Sequence, residues 1–155
     1  MDTSTHGSWT TTYGSQGHVI PSLASNLPAY ASFSTTGAGP YVHTSEVNPA
    51  AALTNPGGGT VAAEYYDPAG FSATLNLTDG KTHKVALYLA DYDGQNRVET
   101  VQAFGPGNVA LTAAITVSSF TGGVYLVFNV SGDVTFQFTH VAGGSAVLSG
   151  LFIDT

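Results

Sequence analysis

The chain has 155 residues, no cysteine, a net charge of −7 and charged side chains at only 8%. Three Lys and Arg residues exclude phosphate-rich partners, so nucleic acid and anionic membranes are ruled out, and the missing thiols exclude disulfides and thiolate metal sites. At 43% hydrophobic and 11% aromatic the chain can bury one sizeable core, with Ser, Thr, Asn and Gly as its polar exterior.

In chain order, Gly7–Tyr13, Gly17–Ile20 and Ala29–Ser34 read as early strands. Glu46–Thr54 offers one turn of helix, with Pro49 near its start. The glycine-rich stretch Thr54–Thr60 joins strands and lacks the spacing of a phosphate loop. Thr60–Tyr66 follows as a strand, then Phe71–Thr78, where Phe71, Ala73, Leu75 and Leu77 alternate inward. His83–Asp93, Asn108–Val117, Gly122–Val130, Asp133–Val141 and Ser145–Asp154 are rich in β-branched and aromatic residues. In Asp133–Val141 the side chains of Val134, Phe136 and Phe138 share one face. Glycine turns recur roughly every 10–12 residues, the spacing of a sandwich or barrel. The predicted fold is all-β: an antiparallel β-sandwich of about 8–10 strands, with a jelly roll preferred.

The single arginine sits in "LYLADYDGQNRVETV" (Leu87–Val101) among Asp91, Asp93 and Glu99. A calcium loop would need ligands or glycine where Gln95, Asn96 and Gln102 stand. The segment reads instead as a hairpin turning at Asp93–Asn96, with Arg97 clamped by Asp91 and Asp93. The sharper alternative gives part of this cluster to sugar hydroxyls at a sheet edge.

Catalytic signatures are missing. The histidines His6, His18, His43, His83 and His140 show no metal-ligand spacing, and no GxSxG elbow occurs. Asp91 and Glu99 as a glycosidase pair rest on nothing but their chemistry, so the expectation is a protein that is not an enzyme. The aromatics suggest binding, because flat rings stack on the C–H faces of sugars while polar neighbours take the hydroxyls. The platform candidates are Trp9, Tyr13, Tyr41, Tyr65, Tyr66 and Tyr92. Tyr65 and Tyr66 are adjacent in a strand and point to opposite faces.

Six segments carry a resemblance: Gly7–Ile20, Leu27–Ser34, Val61–Tyr66, Val85–Gln102, Ser118–Thr139 and Ala146–Asp154. They resemble the galactose-binding-like and malectin-like carbohydrate-binding modules of bacterial secreted glycoside hydrolases and surface proteins. The shared signatures are the opening "GSWTTTYGSQG", the "DYDGQNR" segment and the closing "SGLFID". The resemblance implies a jelly roll and non-catalytic carbohydrate binding. It makes Trp9, Tyr13, Asp91, Asp93 and Arg97 structural signatures. It also implies a structural calcium near the chain termini, to which Asp2 and Asp154 would contribute. Where such relatives carry a tryptophan-bearing segment, this chain has "YVHTSEVNPAAAL" (Tyr41–Leu53).

The leading expectation is a single module, residues 1–155, excised from a larger secreted or cell-surface protein. It would be monomeric and would tether a neighbouring catalytic domain to a polysaccharide or oligosaccharide. Tyr41, His43, Tyr65, Tyr66 and Tyr92 would meet the sugar, with Glu64 and Asp67 as hydroxyl partners. Asn48 and Asn55 are further hydroxyl candidates. The alternative is a structural or adhesive sandwich that binds no glycan.

Overall fold

A computed structural model describes residues 1–155. Eight strands form its double sheet: β1 (Gly17–Val19), β2 (Gly70–Leu77), β3 (His83–Leu89), β4 (Val98–Gly105), β5 (Ile115–Ser118), β6 (Val124–Val130), β7 (Asp133–Ala142) and β8 (Gly150–Asp154). One sheet runs β1-β8-β3-β6, and the other runs β2-β7-β4-β5, antiparallel throughout. This is the strand order of a jelly roll, in which the closing strand returns to lie beside the opening one. Ala31–Thr36 extends the second sheet beyond β2, and Val109–Ala110 pairs with β4.

Alternation builds the core. Leu75 and Phe136 from the second sheet meet Leu87, Leu126 and Ile153 from the first in a cluster of 24 buried residues. Each fully buried Leu or Phe contributes roughly 1.5–3 kcal/mol. The first sheet is covered on its other face as well. There Ala86, Tyr88, Tyr125 and Phe152 join Trp9, Tyr13, Ile20 and Leu53 in a second cluster of 13 residues. Hence β3 is apolar at every position from Val85 to Leu89, the pattern of a strand buried on both faces.

The N-terminal signature builds that cover. Trp9 Nε1 donates to the Thr54 carbonyl at 2.9 Å, and its ring lies 4.8 Å from Phe152. Tyr13 stacks on Tyr125 at 4.4 Å. Trp9–Thr11 is a 3-10 turn, which corrects the predicted strand at Gly7–Tyr13. The segment caps a sheet with bulky rings instead of pairing along its edge.

Three other predicted strands break. Thr60–Tyr66 divides at Ala62, with Thr60–Val61 and Ala63–Asp67 in different sheets. Asn108–Val117 is strand only at Val109–Ala110 and from Ile115 onward. Ser145–Asp154 divides at Ser149, because Ala146–Leu148 joins a separate sheet. That third sheet has the order Ala146–Leu148, Ala63–Asp67, Gly39–Val42. The predicted helical turn is present as Pro49–Ala51, capped by the Asn48 side chain.

The predicted hairpin at Asp93–Asn96 is a crossover. β3 and β4 lie in different sheets, so residues 90–97 carry the chain from one to the other. Turn chemistry is common to both connections, and local sequence did not separate them.

A candidate binding pocket at the third sheet

The third sheet and the crossover enclose a pocket of about 420 Å³ lined by Tyr41, His43, Thr44, Ser45, Glu64, Tyr66, Asp93, Arg97 and Ser145. Strand geometry explains who faces it. Glu64 and Tyr66 are two apart in Ala63–Asp67 and share a face, and Tyr41 pairs directly opposite Glu64. Tyr65 takes the other face, 6.0 Å from Phe33 against the main core. Tyr41 is 50% exposed and Tyr66 38%, and their rings meet nearly perpendicular at 6.1 Å. His43 stands edge-on to Tyr41 at 4.8 Å.

The floor is charged. Arg97 binds Asp91 and Asp93 through one guanidinium nitrogen, and its other terminal nitrogen lies 4.0 Å from Glu64. Asp91 also accepts from the Gln95 and Arg97 backbone amides at 3.1 and 3.2 Å, which closes the crossover on itself. His43 Nε2 lies 3.0 Å from Glu64 Oε1, at ion-pair distance but without hydrogen-bond alignment. Glu64 Oε2 and Arg97 Nε are buried without partners.

Burial and the Arg97 charge set the protonation of these groups. Burial holds the Glu64 carboxyl above its usual value, although His43 and Arg97 pull the other way. Burial also pushes on Asp93, but the hydrogen bond and charge of Arg97 outweigh it, and that carboxyl sits below its usual value. Behind the pocket Glu99 is fully buried, with both oxygens facing the Val147 amide at 3.1–3.2 Å. Burial raises its pKa well above the ordinary carboxylate value.

Of the sequence-predicted ligand residues, Tyr41, His43, Glu64 and Tyr66 are brought together here. Three are not. Tyr92 is completely buried, 5.5 Å beneath His43, so its ring cannot meet a ligand. Tyr65 faces the core. Asp67 accepts from the Ala69 and Gly70 amides at 2.8 and 3.1 Å and serves a turn. Asn48 and Asn55 are likewise spent on local backbone amides.

Asp93 and Arg97, predicted as structural, also line the pocket. Thr44, Ser45 and Ser145 line it too and were missed. Thr44 and Ser45 directly follow His43 in sequence, which was a usable signal; Ser145 carried none.

The implied calcium at Asp2 and Asp154 is not matched by the geometry. No group of three His, Asp or Glu side chains is disposed to hold a metal. Asp2 accepts from Ser4, Thr5 and the Tyr13 hydroxyl, and Asp154 accepts from the Ser15 amide with Lys84 3.7 Å away. The Asp2 carboxylate is occupied by internal donors, whereas Asp154 Oδ2 is buried without a hydrogen-bond donor. No helix is long and apolar enough to cross a membrane.

No known protein-family model matches the chain, and no curated protein does. Among solved structures it is similar to a family 35 carbohydrate binding module from Clostridium thermocellum, at TM-score 0.46 and 12% identity over 79% of this chain and 92% of that one. It is similar to the module CBM6cm-2 of Cellvibrio mixtus lichenase 5A, solved with cellotriose, at TM-score 0.44 and 17% identity over 79% and 89%. A third likeness is to 27% of an exo-beta-1,3-galactanase from Phanerochaete chrysosporium, covering 79% of this chain at TM-score 0.40 and 20% identity. At these scores the fold rests on its own strand pairing and the site on its own geometry.

Proposed function

We propose that the pocket binds a glycan and that the protein is a non-catalytic carbohydrate-binding module. The carrying observation is the pair of exposed rings, Tyr41 and Tyr66, set at 80° over a charged floor. One ring offers a stacking face to a pyranose, the other closes its side, and carboxylate, guanidinium and hydroxyl groups meet the sugar hydroxyls. The volume of about 420 Å³ lies within the roughly 300–1,000 Å³ of small-ligand sites. The sequence resemblance to carbohydrate-binding modules points the same way.

The chemistry disfavours turnover. Asp93 is ion-paired to Arg97, which weakens it as a base or nucleophile toward a bound sugar. In this reading residues 1–155 are an accessory module of a secreted or surface protein, tethering an attached domain to polysaccharide and raising its local concentration.

Affinity electrophoresis through neutral polysaccharides, with calcium and with a chelator, tests the proposal. Retardation by at least one glycan is expected. Tyr41→Ala and Tyr66→Ala should each weaken it roughly tenfold, about 1.4 kcal/mol, without lowering the melting temperature. Retardation unchanged in the double variant would overturn the proposal.

A further inference from the structure

The pocket's charge narrows its ligand. Glu64, Asp91 and Asp93 are carboxylates set around one guanidinium, with Arg97 the only Lys or Arg of the site. Three against one leaves a surplus of two negative charges when all are ionised. Glu99 lies behind the same wall, and His43 is the remaining titratable group facing them. The two lysines lie elsewhere. Lys84 sits 3.7 Å from Asp154 and over the Tyr13 ring, while Lys81 follows the Asp79 turn.

Inside the surplus, Glu64 Oε2 is buried with no donor, although its side chain is only 3% exposed. A buried carboxylate oxygen without a donor is costly and is relieved by an N–H or a cation. Asp93 is the carboxylate a ligand reaches first, with its side chain 36% exposed. Two tyrosine rings, whose faces attract cations, line the same pocket. The Glu64 carboxyl is raised chiefly by burial, and a bound ammonium would offset that penalty.

Building on the glycan-binding reading, we infer that the preferred ligand carries a free ammonium: an amino sugar such as a glucosamine oligomer, seated between the tyrosine pair and the Glu64–Asp93 side of the pocket. An anionic uronic acid is repelled by the same surplus, and an N-acetylated or plain neutral sugar stacks on the tyrosines without the charge contribution.

Isothermal titration of the protein against glucosamine, N-acetylglucosamine and cellulose oligomers of equal length tests this. It is run on the acid side of neutrality, at about pH 5.5–6, so that most of the sugar amines carry a proton while ordinary carboxylates stay ionised. Glucosamine oligomers should bind about tenfold tighter than the other two, the scale of one cation–π contact and one charge-assisted hydrogen bond. Added salt should erase that margin, and Glu64→Gln should shrink the preference for glucosamine over the neutral oligomers. The salt series on the unaltered protein carries the test if Glu64→Gln fails to fold.

Neutral oligomers binding as tightly as glucosamine would overturn the ammonium assignment and leave the glycan reading standing. Glucosamine binding that ignores both salt and Glu64→Gln would overturn it as well. If no oligomer binds, the ammonium assignment falls, and the retardation assay with Tyr41→Ala and Tyr66→Ala decides the glycan reading separately.

Discussion

The pocket and the crossover share one residue, Arg97, whose side chain is 5% exposed and spans two aspartates and Glu64. Removing one partner of a buried ion pair strands the others and costs about 3–5 kcal/mol. Arg97→Ala is therefore expected to destabilise the protein by that amount in chemical denaturation. Arg97→Lys should recover only part, because an ammonium cannot reproduce the planar fork. An unchanged denaturation midpoint for Arg97→Ala would refute the clamp. Tyr65→Ala should cost stability while Tyr66→Ala should cost binding, since strand alternation sends them to opposite sides. These roles differ in how legible they were. The Asp91–Asp93–Arg97 clamp is local in sequence and could be read from it. That Tyr65 and Tyr66 diverge followed from periodicity, but which one meets solvent depends on the sheet packed behind them. Tyr92 was misjudged for the same reason, because His43 and the Tyr41–Leu53 segment cover it from far along the chain.

Elements repeat this division. Alternating strands such as β2 and β7 were read correctly because one face meets the core and the other meets water. β3 is apolar on both faces, so its composition alone did not say what covers its outer side. The cover comes from Trp9, Tyr13 and the segment around Leu53, too irregular to announce itself. The crossover was mistaken for a hairpin because turn residues encode a reversal, not the sheet on which the chain lands. The turn before β6 allows a sharper test. Gly123 has φ of +83°, and a Cβ there would overlap the Tyr88 hydroxyl, which is itself held by the Ala51 carbonyl at 2.8 Å. Gly132 also has positive φ, +69°, but faces open space. Gly132→Ala should cost only the backbone term, about 1–2 kcal/mol. Gly123→Ala should cost clearly more, since it also displaces the tyrosine from the second cluster. Equal losses in thermal denaturation would mean that Tyr88 is not fixed there.

Across the whole molecule, burial of weak acids sets how stability responds to pH. Burial raises the pKa of Glu64, and of Glu99 well above 4.5. It also raises the hydroxyls lining the second cluster: Tyr13 to about 12, with Tyr88, Tyr92 and Tyr125 also above 10.0. For each of these acids the folded pKa exceeds the unfolded one. Their stabilisation is complete below the unfolded pKa and is lost as pH rises through the folded one. The two glutamates therefore begin to lose theirs just above 4.5, and the tyrosines above 10.0. Asp2 and Asp93 have the opposite sign. Their carboxyls lie below 3.8, so their contribution is present above that value and fades as pH falls through the folded pKa. The two sets leave a maximum on the acid side of neutrality, with a further fall under alkaline conditions as the tyrosines ionise. The melting temperature should accordingly be higher near about pH 5 than near about pH 8. Glu99→Gln, which keeps the shape and removes the ionisable proton, should flatten that slope, and the alkaline transition should coincide with the appearance of tyrosinate absorbance. Burial lowers the pKa of His18, so its contribution fades as pH falls and opposes this slope; the comparison with Glu99→Gln therefore decides, and an identical pH profile for that variant would mean that Glu99 is solvated or paired in the folded protein.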